Sequence, residues 1–144
     1  MFKRAERVEL VAAAIYGALA TRFRDDADAH ALFARLETEE QQHASRIRLL
    51  AATYRNDSKL IEKVNGAEGL DACLAEAQAA LAEIQAGGWG TGLGDVLGRL
   101  ARLEDRLSRA HADLLALNGN GALREFFEQL AHMDDAHMQL LVRT

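Results

Sequence analysis

The sequence predicts an all-α protein: a four-helix bundle of two antiparallel helix hairpins, joined by a long crossover that contains an extra helix. Proline is absent, and the abundant residues Ala, Leu, Glu and Arg all favour helices. Apolar residues recur at spacings of three and four along extended stretches, and no segment alternates convincingly as a strand does. Because 144 residues is a usual size for one domain, residues 1–144 are expected to form a single domain.

Four segments have the helical spacing and are predicted to be the bundle helices: residues 3–24, 28–55, 93–117 and 122–143. Short joints separate the first pair and the last pair, an acidic one at residues 25–28 and a glycine-containing one at 118–121. Short joints favour antiparallel hairpins. The long connection, residues 56–92, contains the extra helix at 67–86. At about 1.5 Å per residue this helix is roughly 30 Å long and can carry the chain from one end of the bundle to the other.

Charge and cysteine content exclude several classes of function. The net charge is -5 and no Lys/Arg cluster is present, so neither nucleic acid nor a membrane surface is an expected partner. Cys73 is the only cysteine, which excludes an internal disulfide, a four-cysteine metal site and a CxxC redox pair. A soluble protein in the reducing cytoplasm is therefore expected.

The strongest pattern is an internal repeat of spacing. Its two copies are Phe33-x2-Leu36-x3-Glu40-x2-His43 and Phe127-x2-Leu130-x3-Asp134-x2-His137. A second correspondence lies earlier in each half, where Glu9 is followed by Tyr16 and Glu104 by His111 at the same spacing. Duplication of one ancestral hairpin explains both correspondences.

Helical geometry turns the polar members of the repeat toward the core. Both acid-x-x-His pairs share the face of the apolar residues around them, Glu104 falls among apolar residues, and Glu9 lies at the inward edge of its stripe. Four buried carboxylates are costly unless cations neutralise them, and no Lys or Arg lies on these inner faces. We therefore predict a two-metal centre with the ligands Glu9, Glu40, His43, Glu104, Asp134 and His137.

The composition of the ligand set predicts which metals it holds. His43 and His137 are expected to bind one ion each, Glu40 and Asp134 to bridge or flank the two ions, and the remaining acids to cap them. A carboxylate-rich set without thiolates suits two ions of iron or manganese, and zinc could also occupy it.

This arrangement resembles the ferritin-like di-iron carboxylate superfamily, in which two helices give one Glu each and two others give an acid-x-x-His pair. The segment Phe33-Ala34-Arg35-Leu36-Glu37-Thr38-Glu39-Glu40-Gln41-Gln42-His43-Ala44 is especially similar to the second helix of rubrerythrins. The similarity covers the four long helices. It implies a centre that reacts with O2 or H2O2, with Tyr16 beside the metals.

Three departures separate the chain from rubrerythrin itself. No rubredoxin module is expected, because one cysteine cannot build its iron site, so a separate electron donor protein is implied. Leu107 stands where rubrerythrins have a further Glu, and Asp134 stands where they have Glu. The expectation moves from a rubrerythrin peroxidase toward a more general di-iron oxidase.

The leading hypothesis is a di-iron oxidoreductase that reduces O2 or H2O2, as a ferroxidase acting on Fe(II) or in peroxide defence, and that forms a homodimer. Tyr16 and His111 are its candidate catalytic residues, His111 either as a donor behind the ligands or as an extra ligand. Glu37 is either an acceptor for an imidazole or a partly exposed side chain in a salt bridge. The alternatives are a non-enzymatic iron-binding or storage protein resembling bacterioferritin, and a metal-free interaction bundle.

Overall fold

The computed structural model describes residues 2–54, 67–118 and 124–143, and these ranges contain helices and turns but no strand. The helices are α1 (Phe2–Arg22), α2 (Ala27–Tyr54), α3 (Ala67–Gln85), α4 (Leu93–Asn118) and α5 (Arg124–Arg143). The predicted all-α class is confirmed. The predicted helix ends at residues 55 and 122, the stretch 56–66 and the turn residues 119–121 lie outside the described residues. No described helix combines the length and the apolar character that a membrane span requires.

The acidic joint between α1 and α2 caps the second helix, as the sequence predicts. The Asp26 Oδ1 atom accepts a hydrogen bond from the Ala29 amide at 3.1 Å, which satisfies one of the free N–H groups at the start of a helix. Helix α2 therefore begins at Ala27, directly after its capping residue, and α1 ends at Arg22, slightly before the predicted end at residue 24.

The end of α3 is closed by glycines and held by α1. The Gly88 amide donates a hydrogen bond to the Glu83 carbonyl at 2.8 Å, and the Gly87 amide donates one to the Ile84 carbonyl at 3.0 Å. Gly87 has a φ of 91°. This is a Schellman cap, for which glycine is the favoured residue. The Arg22 guanidinium, at the end of α1, donates to the Ile84 carbonyl at 2.7 Å and the Gly88 carbonyl at 2.6 Å. The end of α3 is thereby fixed against the end of α1.

Each helix packs against two neighbours. Helix α2 packs between α1 and α5, α4 packs between α5 and α3, and α3 packs in turn on α1. The extra helix of the long connection, α3, therefore packs between α1 and α4.

Two apolar clusters occupy the two ends of the interior. The first lies near the joint of α1 and α2 and includes Ile15, Leu19, Phe33, Leu36 and Leu100. The second lies at the other end and includes Phe2, Ile47, Leu114, Phe127 and Leu130. On α2 and α5, a short polar stretch separates the residues of the two clusters. On α1 and α4, buried polar residues between the two clusters stand next to a third, smaller apolar cluster that includes Val8, Leu107 and Cys73 of α3. A layer of polar side chains therefore lies between the two end clusters, with the third cluster on its α3 side.

Candidate metal centre

The polar layer contains the side chains that the sequence predicts as ligands. The buried polar residues of the described chain are Glu9, Glu40, Glu104, His111, Asp134 and His137, each at most 3% exposed. The predicted ligand His43 lies at the edge of the layer, with 13% of its side chain exposed. The structure therefore brings all six predicted ligands together, and it adds His111 from α4.

One group of possible ligands is formed by α2 and α5. Glu40, His43 and His137 each offer one ligand atom, and these atoms lie within 4.8 Å of one another. His137 Nδ1 is 2.5 Å from Glu40 Oε1, and His43 Nδ1 is 3.7 Å from Glu40 Oε2. The two imidazole rings stack with centroids 4.9 Å apart. Glu40 is thus shared by both histidines.

The other group joins α1, α4 and α5. Glu9, His111 and Asp134 are all buried, and their ligand atoms also lie within 4.8 Å of one another. His111 Nδ1 is 2.5 Å from Asp134 Oδ2, and His111 Nε2 has no hydrogen-bond partner among the described residues. One ring nitrogen is therefore held by a carboxylate while the other stays available to a ligand.

Glu104 connects the first group to α1. Its Oε1 atom accepts a hydrogen bond from the Tyr16 hydroxyl at 2.5 Å and lies 3.7 Å from His137 Nδ1. Tyr16 is only 2% exposed, so this hydrogen bond is closed to water. The structure thus places Tyr16 beside the predicted ligands.

The grouping differs from the predicted distribution of the two histidines. The sequence assigns His43 and His137 to different ions, whereas both lie in the group around Glu40, and His111 is the imidazole of the other group. His111 takes that place because it faces Asp134 across the α4–α5 contact, at a depth that residue counting along each helix does not reveal.

Among the described residues, the four carboxylates have no Lys or Arg partner. No ion pair joins any of them to Lys or Arg in the described ranges. Their ion pairs there are with histidines. Several buried atoms in the layer also have no hydrogen-bond partner within the described part of the chain: Glu9 Oε1, Glu40 Oε2, Glu104 Oε2 and His111 Nε2. Each unsatisfied buried polar atom costs about 1–3 kcal/mol, so this set of atoms in one layer is a candidate site for a cation.

Burial favours the protonated forms of three acids of the layer. Burial raises the pKa of Glu9 well above its ordinary value of 4.5, and the neighbouring Glu40 raises it further. Burial also raises the pKa of Glu40, and it raises that of Asp134 against the opposing effect of His111. Burial and then Glu104 raise the pKa of the Tyr16 hydroxyl. Protonation of the three acids therefore competes with the binding of a cation.

The pKa values of the three histidines are shifted in different directions by the polar layer. Burial alone would lower the pKa of His137, but hydrogen bonds to Glu104 and Glu40 raise it to about 11. Burial would likewise lower the pKa of His111, but the hydrogen bond to Asp134 produces a net rise. Burial lowers the pKa of His43 and outweighs the effect of Glu9. His43 is thus neutral near pH 7 and can bind metal without first losing a proton.

Glu39 is a functional candidate that the sequence does not reveal. Its Oε2 atom is 2.9 Å from His137 Nε2, on the side of the ring opposite Glu40. A carboxylate behind a ligating imidazole fixes the ring and increases its basicity. The available signal is weak, since Glu39 lies on the same flank of α2 as His43, and it also forms an exposed ion pair with Arg35.

Glu37, the acceptor that the sequence suggests, has a different neighbour. Its carboxylate lies against Gly17 of α1, where the missing side chain makes room for it. No contact between Glu37 and an imidazole is present in the described residues, so Glu39 occupies the position proposed for Glu37.

We expect Glu39→Ala to weaken metal binding about 10- to 100-fold, because His137 loses the carboxylate that orients it. The lost ion pair with Arg35 is exposed and contributes little. Isothermal titration with Zn2+ measures the change. Glu37→Ala is the matched control on the same helix and should stay within about twofold of the parent chain. Equal losses in both variants would show that Glu39 acts only through general stability.

Comparison with protein-family models, curated proteins and solved structures gives no match to this chain.

Proposed function

We propose that the chain is a di-iron oxidoreductase of the ferritin-like kind, reacting with O2 or H2O2. The observation that supports this best is the polar layer: carboxylates from four helices and three imidazoles meet between two apolar clusters with unsatisfied ligand atoms. Helices α1, α2, α4 and α5 would be the four-helix bundle, and α3 would be the additional helix of the crossover.

The donor set suits two divalent ions. Glu40, His43 and His137 would hold one ion, Glu9, His111 and Asp134 would hold the other, and Glu104 would complete the shell. Oxygen and imidazole donors without thiolates favour iron or manganese, and zinc can occupy such a set. Two dipositive ions would offset the four carboxylates, whose ion-pair partners among the described residues are histidines alone.

The bound irons would supply redox chemistry: two ferrous ions give two electrons, which with two protons reduce O2 to H2O2 or H2O2 to two waters. The chain's own residues prepare the site for this. The Tyr16 hydroxyl holds Glu104 in place, and Glu39 holds the His137 ring from behind. The two apolar clusters keep bulk water away from either end of the layer.

The test is anaerobic loading with Fe2+, metal analysis, and then separate mixing with O2 and with H2O2. We expect about two irons per chain and rapid formation of ferric absorbance. Glu9→Gln is expected to lower the iron content, because a neutral amide replaces a buried ligand. Glu6→Gln is the matched control on the same helix, since Glu6 pairs with Arg48 at the surface. Fewer than about two irons in the parent chain would contradict the two-metal site.

The storage alternative differs in the fate of the oxidised iron. A storage protein accumulates ferric iron far beyond two ions per chain and needs a large shell of subunits, whereas an oxidoreductase returns to the ferrous state when a donor supplies electrons. Repeated oxidation and reduction of the same two irons, together with size-exclusion chromatography, therefore separates the two functions.

A further inference from the structure

A cavity lies beside the polar layer, between α1, α3 and α4. It has a volume of about 20 Å3, enough for one small molecule, since a single water needs roughly 10–15 Å3 by the same measure. Its walls are mostly buried, with Val8 and Ile15 of α1 and Leu100 of α4 each 1% exposed. The space exists because small side chains face it, namely Ala12 on α1 and Ala77 on α3.

The lining of the cavity is apolar except at one place. Seven of its ten residues are Ala, Val, Ile or Leu. Cys73 adds a thiol that donates a hydrogen bond to the Arg106 carbonyl, at an S···O distance of 3.5 Å. The polar exception is Tyr16 with Glu104, and the Tyr16 hydroxyl already donates its hydrogen to Glu104. The cavity therefore offers acceptors at one end and no free N–H or O–H donor.

This lining discriminates between the two oxidants of the proposed function. Hydrogen peroxide and water form several hydrogen bonds and lose most of them in an apolar cavity, which is unfavourable. Dioxygen is apolar and loses little hydration on entry. Apolar cavities of this kind stay dry and accept small apolar molecules.

The cavity also reaches the proposed metal centre directly. Glu104 belongs both to its lining and to the polar layer, where it lies 3.7 Å from His137 Nδ1. The polar side of the layer faces elsewhere, where Glu39 and His43 have 29% and 13% of their side chains exposed. Polar species thus have a different approach from the one that the cavity provides.

We propose that this cavity is a binding site for a small apolar molecule, and that it makes dioxygen the preferred oxidant. The inference of a binding site depends only on the cavity. The inference about the oxidant also depends on the proposed di-iron function. Helix α3 would then be a functional element, because it closes the cavity between α1 and α4 with Ala77.

The binding site is tested by methyl NMR of the full chain, with and without Zn2+, under dioxygen pressure. Dissolved dioxygen is paramagnetic and speeds relaxation of nearby protons. We expect at least threefold larger effects at Leu100 and Leu107 than at Leu130, which is buried but distant from the cavity. Equal effects at all three would overturn the proposal.

Filling the cavity provides the second comparison. Ala77→Leu should remove the local relaxation effect, whereas Ala75→Leu, an exposed position on the same helix, should retain it. Ala77→Val, a smaller change, serves if circular dichroism shows that Ala77→Leu is unfolded. Retention of the effect in the filled variants would overturn the proposal.

The choice of oxidant is tested on ferrous-loaded protein. In Ala77→Leu, oxidation by dioxygen should slow at least tenfold, while oxidation by peroxide should change less than twofold. Equal slowing with both oxidants would overturn the selectivity. Failure to bind iron would instead contradict the di-iron function and leave the NMR result on the metal-free chain intact, so the two failures are distinguishable.

Discussion

The melting temperature of the metal-free chain is expected to fall as the pH rises from about 5 to about 8, and saturating divalent metal is expected to raise it by roughly 20 °C near neutral pH. At free metal about 100-fold above the dissociation constant, each site adds about 2.7 kcal/mol. Two sites therefore add about twice that to the free energy of unfolding, which corresponds to roughly 20 °C for a domain of this size.

The sign of the pH effect follows from the buried acids and His137. Glu9, Glu40 and Asp134 have raised pKa values, so the folded chain binds more protons than the unfolded one above their ordinary values of 4.5, 4.5 and 3.8. His137, raised from 6.5 to about 11, extends the same trend from neutral to alkaline pH. Stability falls with rising pH wherever the folded state binds more protons. Among the described groups with shifted pKa values, His43 alone opposes the trend, near its ordinary value of 6.5, because its pKa is lowered.

Differential scanning calorimetry at a series of pH values, with chelator and with Zn2+, measures both effects. Metal should stabilise the chain more at about pH 7.5 than at about pH 5.5, because ligands release their protons when they bind metal. Mg2+ at equal ionic strength is the control for nonspecific screening. A melting temperature that rises with pH in chelator would contradict the assignment of protons to the buried acids.

The second large effect is expected from His111→Gln, which should reduce the metal content from about two ions per chain to one. The change removes the only imidazole of the group with Glu9 and Asp134, while the amide can still donate to Asp134. Loss of an imidazole ligand should lower the metal affinity by more than the roughly 10- to 100-fold expected when a residue behind a ligand is changed. The stabilisation by metal should fall by about half.

This variant tests whether the ligands are distributed between the two ions as grouped in the structure or as predicted from the sequence. The six-ligand prediction leaves His111 open as a donor behind the ligands or as an extra ligand. If His111 is only a donor, the variant should retain two ions, with affinity lowered about 10- to 100-fold. His132→Gln, at an exposed histidine on α5, is the control and should retain both ions. Metal titration with elemental analysis of the filtered protein gives the count for each variant.

The helices and the inward faces could be predicted because they depend on local periodicity. The spacing of Phe33, Leu36 and Glu40 fixes which side of α2 faces the core, and each of these residues is at most 1% exposed. Glu9 is more deeply buried than its edge position on the predicted stripe suggests, at 1% exposed. Glu9 is enclosed by His43 of α2, His111 of α4 and Asp134 of α5, and a pattern within one helix does not report such neighbours.

The pairing of side chains between helices could not be predicted, because it depends on relative depth and rotation. Counting residues from the turn places Glu104 and Asp134 at one level. In the structure, Asp134 is hydrogen-bonded to His111, which lies two helical turns beyond Glu104 on α4. Glu39 was missed for the same reason, since its function comes from a contact with His137 on a different helix. The cavity depends on the position of α3 between α1 and α4, which periodicity alone leaves open.

In the proposed function, the polar layer between two apolar clusters would also link metal supply to the lifetime of the protein. A chain without metal would hold its two clusters together through a layer with unsatisfied buried atoms, so its open forms would be more populated. Proteases act on open forms, and a difference of one or two kcal/mol changes the amount of a protein several-fold in a cell. Molecules made during metal shortage would therefore be degraded first, and the pool that survives would be the loaded one.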